Sequence, residues 1–175
     1  MKPYIKYKDT LYKRVNIRID PTVEFNDILF TLNSLGFKDC EANAEQVTFA
    51  LLELINNSLR AHREKNITHS IHLIFEALDD CLHIIVQDWG GGFDPQQLPY
   101  ELFQDPSSID TNNAIFQRYR ENHNYLRFGM GIYVVKKTFE TFNLYFIDEK
   151  ENRVNWESGK TAGTLVELTI GHNNG

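Results

Sequence analysis

The sequence predicts an α+β fold, a two-layer sandwich in which helices cover one face of a mixed, mainly antiparallel sheet. Three observations carry that expectation. Ile71, Leu73 and Phe75 alternate on one face of one segment, Leu82, Ile84 and Val86 do so on the next, and Asp79-Asp80 between them fits a tight hairpin turn. Residues 43–65 have the length and spacing of a long amphipathic helix. Three further short strand-like segments close the chain, near 144–149, 153–157 and 164–170. A half-apolar antiparallel sheet must bury one face, and helices gathered on that side do so.

Taken in order, residues 1–13 are polar and aromatic and read as a loose arm or an edge strand. Val15-Asn16-Ile17-Arg18-Ile19 alternates like a half-buried strand. Asp20-Pro21 reads as a helix start, and residues 22–35 as a helix ended by Gly36 at its C′ position. The helix over 43–65 follows, then strands over 70–78 and 81–88. Residues 94–128 hold Pro95, Pro99 and Pro106 and many Asn, Gln and Ser, with room for two short helices. A loop this long inside a compact domain points to function or mobility. Residues 131–141 read as a helix with Ile132, Val135 and Phe139 on one face. The division expected is an arm over 1–13 and one domain over 14–175, with a lid at about 94–128.

The chain has 175 residues, of which 42% are hydrophobic and 13% aromatic, enough for a core and against disorder. The net charge of −6 leaves no basic footprint for nucleic acid. The longest apolar runs fall well short of the roughly 18 residues that a membrane span needs. Cys40 and Cys81 define no disulfide framework, and with no signal-like leader they point to a reducing cytoplasm. The six histidines show no metal spacing and read as surface or strand residues; Trp89 and Trp156 read as packing residues.

The chemistry lies in two glycine clusters about 40 residues apart, Asp88-Trp89-Gly90-Gly91-Gly92-Phe93 and Gly129-Met130-Gly131-Ile132. Glu53, Asn57 and Arg60 fall on one face of the long helix, beside a core face of Val47, Leu51, Leu54 and Ser58. A carboxylate one turn from a carboxamide suits water and a hard cation: Asn57 can offer a neutral oxygen to Mg²⁺, and Glu53 can polarise a hydroxyl or a water. The same spacing also fits a solvated polar face. Asp88 continues the inward face of Leu82, Ile84 and Val86, so its carboxylate must find donors. An adenine amine is one such donor; a turn cap on its own following backbone is the other reading. Gly90 and Gly92 permit close backbone approach to a ligand. Gly129 and Gly131 precede a helix, where backbone N–H groups and the helix N-terminus favour an anion, and Arg127 adjoins them within reach of a terminal phosphate. There is no Walker GK[ST] and no third glycine of a dinucleotide fingerprint.

The ordered set Glu53-x-x-x-Asn57, Asp88-x-Gly90-x-Gly92-Phe93, Gly129-x-Gly131 and Gly163-Thr164 resembles the four boxes of the GHKL ATPases, over roughly residues 14–170. The resemblance implies the Bergerat-type ATP-binding fold, with ATP and Mg²⁺ as cofactors. It implies that Asp88 binds the adenine amine, Asn57 holds Mg²⁺ and Glu53 is the general base. It further implies that Gly129 and Gly131 contact phosphates and that Thr164 supports the adenine side. Arg60, Phe93, Met130 and Ile132 complete the expected nucleotide contacts.

Within that superfamily the chain is most similar to the single-domain anti-sigma factor serine/threonine kinases. Histidine kinases usually carry Asn at the position of Glu53, and no His-Glu-Leu/Phe phosphoacceptor motif precedes the domain. Topoisomerases and chaperones of the superfamily carry further domains. The run Arg127-Phe128-Gly129-Met130-Gly131 also matches the kinase pattern. The resemblance implies phosphoryl transfer from Mg-ATP to a serine or threonine of an anti-sigma antagonist, a sigma factor as second partner, and a homodimer. The lid is longer and richer in aromatics than in that family, at Tyr100, Phe103, Phe116, Tyr119 and Tyr125, and the arm is extended. Two other readings stay open: a histidine-kinase-like domain acting in trans, and an ATP-gated binding switch with little catalysis.

Overall fold

The computed structural model describes residues 4–37, 43–122 and 130–171. Among them the order is β1 (Ile5–Tyr7), β2 (Thr10–Tyr12), β3 (Arg14–Ile19), α1 (Phe25–Asn33), β4 (Leu35–Phe37), α2 (Ala44–Glu64), β5 (Ile71–Ala77), β6 (Cys81–Asp88), α3 (Ala114–Asn122), α4 (Met130–Thr138), β7 (Thr141–Ile147), β8 (Arg153–Val154) and β9 (Gly163–Gly171). Six strands form the main sheet in the order β3-β5-β6-β9-β7-β8. Every pairing in it is antiparallel. The α+β expectation holds.

The register lines up the apolar faces. Phe75 stands opposite Ile84, which stands opposite Leu168; Leu73 stands opposite Val86, which stands opposite Val166 and then Leu144. All seven are buried. Helix α2 begins where Asn43 Oδ1 accepts the Glu45 N–H at 2.8 Å, an N-cap that satisfies one orphan donor. It lays Val47, Leu51, Leu54, Ile55 and Leu59 onto the sheet, and α4 lies beside it.

Three local expectations are corrected. Gly36 does not cap a helix: it sits in β4, paired with Lys6 of β1, because Leu35 and Phe37 turn their apolar side chains inward and Phe37 stacks on Phe75 at 5.8 Å. Asp20-Pro21 does not start α1. Asp20 closes a turn, accepting from Thr22 N at 2.8 Å while its carbonyl accepts from Val23 N at 3.0 Å, with Pro21 at the turn position that its fixed φ suits. Arg63 of α2 pins this turn through the carbonyls of Pro21 and Val23. Helix α4 ends at Thr138 and β7 begins at Thr141, since the alternation of Phe142, Leu144 and Phe146 matches a strand surface better than a helix. At the N-terminal end the edge-strand alternative is the one seen: residues 5–12 form the β1–β2 hairpin of a three-stranded sheet, β2-β1-β4, with β2 at its edge and Ile5 fully buried.

Candidate functional site

A pocket of about 230 Å³ opens between α2, α4 and the ends of β6 and β9. Its walls are Leu54, Val86, Leu98, Ile132, Leu144 and Val166. Of the two carboxylates that line the pocket, Glu64 is exposed and Asp88 is buried among these walls. Asp88, the last residue of β6, is buried because the strand's alternation turns it inward. Its Oδ2 accepts the Ser58 hydroxyl at 2.8 Å and the Thr164 hydroxyl at 2.6 Å, and its Oδ1 accepts the Gly90 N–H at 2.7 Å. Both sequence readings of Asp88 therefore coexist, a turn cap through Gly90 and a buried acceptor lining the pocket. A carboxylate has about four acceptor directions. Three are used here, which leaves one for an exocyclic amine.

The first glycine turn is held from several sides. Gly91 and Gly92 adopt φ of 77° and 66°, which explains glycine at both. Gly91 N donates to the Ala162 carbonyl at 2.9 Å. Lys65, the C-cap residue of α2, donates from Nζ to the Gly90 carbonyl at 2.6 Å. His62 is 0% exposed and receives the Trp89 N–H on Nε2 at 3.0 Å. Phe93 stacks edge-on with Phe146 at 5.6 Å and lines the pocket.

Asn57 and Arg60 line the same pocket, and Arg60 donates to Asn57 Oδ1 at 3.2 Å. Glu53 and Asn57 both face Gly131 at the start of α4. A Cβ at Gly131 would come within 2.9 Å of Glu53 Oε2 and 3.2 Å of Asn57 Nδ2. Ile132, Gly90, Gly92 and Thr164 also line the pocket. Met130 instead packs against a lid cluster of Tyr100, Ile109 and Phe116. Arg127 and Gly129, with Phe128 and Tyr125, lie outside the described residues.

The segment expected to be a lid runs from Pro95 through short 3₁₀ turns at Pro95–Gln97 and Pro106–Ser108 into α3. Tyr100 stacks on Phe116 at 5.9 Å, and burial pushes its phenol above the ordinary tyrosine range. Burial likewise pushes the Tyr119 phenol up to about 12. Lys136 of α4 is buried and donates to the carbonyls of Leu102, at 2.8 Å, and Gln104. Desolvation lowers its pKa, with Asp105 opposing. Lys136 thus ties the Leu102–Gln104 stretch to α4.

Sequence reasoning missed three contributors. Ser58 was assigned to the core, yet a hydroxyl on an otherwise apolar helix face needs a partner, and the inward Asp88 is that partner. In the sequence His62 reads as one of the surface or strand histidines; the structure corrects this, since it is buried on α2. Lys65 marked only the helix end, and nothing local in the sequence points it at Gly90.

Among the described residues no three His, Cys, Asp or Glu side chains cluster as a metal site, and no helix is long and apolar enough to cross a membrane. The Glu53 carboxylate beside the α4 start and Asn57 Oδ1, which here accepts from Arg60, are oxygens of the kind that suit a hard cation whose other ligands are water and phosphate. The family model for histidine kinase-, DNA gyrase B-, and HSP90-like ATPases matches residues 42–173. No curated protein matches the chain.

Proposed function

The chain belongs to the histidine kinase-, DNA gyrase B- and HSP90-like ATPase family, and from that premise we propose that it is a serine/threonine protein kinase of the anti-sigma factor type, using Mg-ATP. The observation that carries the nucleotide end is Asp88, buried under the Ser58 and Thr164 hydroxyls with apolar walls on either side. An adenine ring fits such walls, and its amine donates to the carboxylate. The ribose and phosphates then extend past Gly92, Asn57 and Arg60 toward the start of α4.

Asn57 would hold Mg²⁺, which would neutralise the terminal phosphates when bound. Glu53, beside Gly131, accepts the proton of the incoming serine hydroxyl. The hydroxyl oxygen forms the new P–O bond, the bond between the β–γ bridging oxygen and the γ-phosphorus breaks, and ADP leaves. Arg127 and the backbone of Gly129 and Gly131 stabilise the transferring group in this reading. The protein partners are an anti-sigma antagonist as substrate and a sigma factor as captive, with the chain acting as a homodimer in the cytoplasm. A second reading, an ATP-gated binding switch, draws on the lid's outer surface, where Phe103 and Ile115 are 70% and 67% exposed.

The test is label transfer from γ-labelled Mg-ATP to a panel of anti-sigma antagonist proteins. An acid-stable phosphoprotein is the expected product, lost with Glu53→Ala by at least ~10²-fold in rate and abolished with Asn57→Ala. An acid-labile product would move the reading to histidine transfer. Nucleotide-gated binding without a phosphoprotein would favour the switch, and no binding of any nucleotide would overturn the site.

A further inference from the structure

His62 is the least expected group at the site. It is fully buried on α2, where a histidine on a polar helix end has solvent available. Its two ring nitrogens have different duties. Nε2 lies 3.0 Å from the Trp89 backbone nitrogen, whose N–H can only donate. Nε2 must therefore be the bare nitrogen, and the ring proton sits on Nδ1. Nδ1 lies 3.1 Å from the His69 carbonyl, which can only accept. One tautomer, neutral with Nδ1–H, satisfies both contacts.

The consequence falls on the first glycine turn. Trp89 lies between Asp88 and Gly90, so the bond to His62 fixes the peptide that aims both. A Cβ on Gly90 would come within 2.6 Å of the Ala61 Cβ and 3.5 Å of His62 Cδ2, so the turn rests directly on this stretch of α2. We propose that neutral His62 is a positioning residue that holds the Asp88–Gly92 turn in its nucleotide-receiving shape, and that protonating it releases the turn. A protonated ring presents N–H at Nε2, facing the Trp89 N–H donor with nothing to accept. One of the two must move, and the turn is the part not built into a helix.

The charges around the ring are few. Asp88 on β6 and the His69 carbonyl favour the protonated ring, while the His69 ring, on the segment leading into β5, opposes it. Lys65 at the end of α2 is held on the Gly90 carbonyl. Burial is the largest influence and keeps His62 below the ordinary histidine value. The release accordingly belongs to mildly acidic conditions.

This inference rests on the nucleotide reading for its functional consequence but not for its structural one. The experiment separates them. In the full chain with Trp156→Phe, Trp89 is the only tryptophan left of two, and its fluorescence is followed from neutral pH downward. His69 and His72 stand edge-on to Trp89 at 5.8 and 5.0 Å and titrate as well, so the same series with His62→Gln subtracts them. The expected result is an acid transition below pH ~6.5 that His62→Gln lacks. ATP affinity should also fall in wild type by up to about tenfold per pH unit below that transition, beyond the fall in His62→Gln, which cancels titration of the nucleotide itself. Imidazole ¹⁵N shifts of the unsubstituted chain need no variant and should report the Nδ1–H tautomer at neutral pH. An Nε2–H tautomer, a charged His62 at pH 7 or superimposable curves for both chains would overturn the proposal. Loss of ATP binding at every pH, with the fluorescence difference and tautomer intact, would overturn the nucleotide reading and leave the lock standing.

Discussion

Asp88 and Thr164 stand opposite each other across β6 and β9, and the Thr164 hydroxyl donates to Asp88 Oδ2 at 2.6 Å. Two boxes separated by 76 residues thus meet in one bond. In Asp88→Asn an amide nitrogen replaces an oxygen: facing the Gly90 N–H it sets donor against donor, and facing Ser58 and Thr164 it makes both hydroxyls turn to accept and puts a donor where the adenine amine would donate. An adenine amine then loses its acceptor. A saturating ATP stabilisation of about 2.7 kcal/mol at ~100 Kd, roughly 5–10 °C in Tm for a chain of this size, should vanish in the variant. Thermal shift with ATP, ADP and GTP reads it; an undiminished ATP shift would take adenine recognition away from Asp88.

Gly131→Ala tests the other end of the pocket. The new methyl would press on the ends of Glu53 and Asn57, at 2.9 and 3.2 Å. Glu53 can swing aside, so the stability loss should stay within about 1–3 kcal/mol. Moving a proposed base by 1 Å costs about 10²-fold in rate. Turnover should therefore fall by ~10²-fold while ATP still binds. Steady-state kinetics with a parallel binding isotherm checks the split.

The strands were legible because alternation is local: β3, β5, β6 and β9 lie where the apolar pattern puts them, and Asn43 marks the α2 start. The misread places depend on contacts far away in sequence. Gly36 reads as a helix stop until Lys6 of β1 pairs with it. Asp20-Pro21 reads as a helix start until the turn it closes is seen pinned by Arg63, some 40 residues on. At the site, Asp88 was legible from strand phase and Asn57 from helix spacing. His62 and Lys65 were not, since their partners are backbone groups of Trp89 and Gly90. A short capping side chain such as Asn43 announces a backbone partner close in sequence; a histidine or lysine does not announce one 27 or 25 residues away.

Lys136 supplies a prediction about the lid. Its ammonium is buried between the Leu102 and Gln104 carbonyls. Lys136→Met keeps the packing but leaves both carbonyls without that donor, at a cost of about 1–3 kcal/mol. The loss should be local. Amide exchange should rise over residues 98–105 while β6 and β9 stay protected. Uniform exchange increase across the sheet would show that Lys136 supports the core and not the lid.

Burial of His62 also sets a sign for stability against pH. Its folded pKa lies below the unfolded value of about 6.5. The unfolded chain therefore binds the proton first as pH falls. The contribution is fully present above pH ~6.5 and is lost as pH falls through the lowered folded value. Denaturant midpoints at pH 7.5 and 5.5 should differ more in wild type than in His62→Gln. Equal differences would show that other groups carry the acid sensitivity.

Gly163 and Gly159 make a matched pair of alanine substitutions. At Gly159, φ is 77° but no atom lies within 4 Å of a Cβ, so alanine meets only backbone strain of roughly 1–2 kcal/mol. At Gly163 a Cβ would run into the backbone carbonyl of Asp88. Backbone cannot swing aside as a side chain can, and β6 would have to part from β9 at the Asp88–Thr164 pair. Gly163→Ala should therefore cost about 3 kcal/mol or more and take nucleotide binding with it, whereas Gly159→Ala should leave binding unchanged. Urea unfolding and thermal shift on the two variants read both effects. A Gly163→Ala chain as stable as Gly159→Ala would mean that β6 and β9 are not joined this closely beside Asp88.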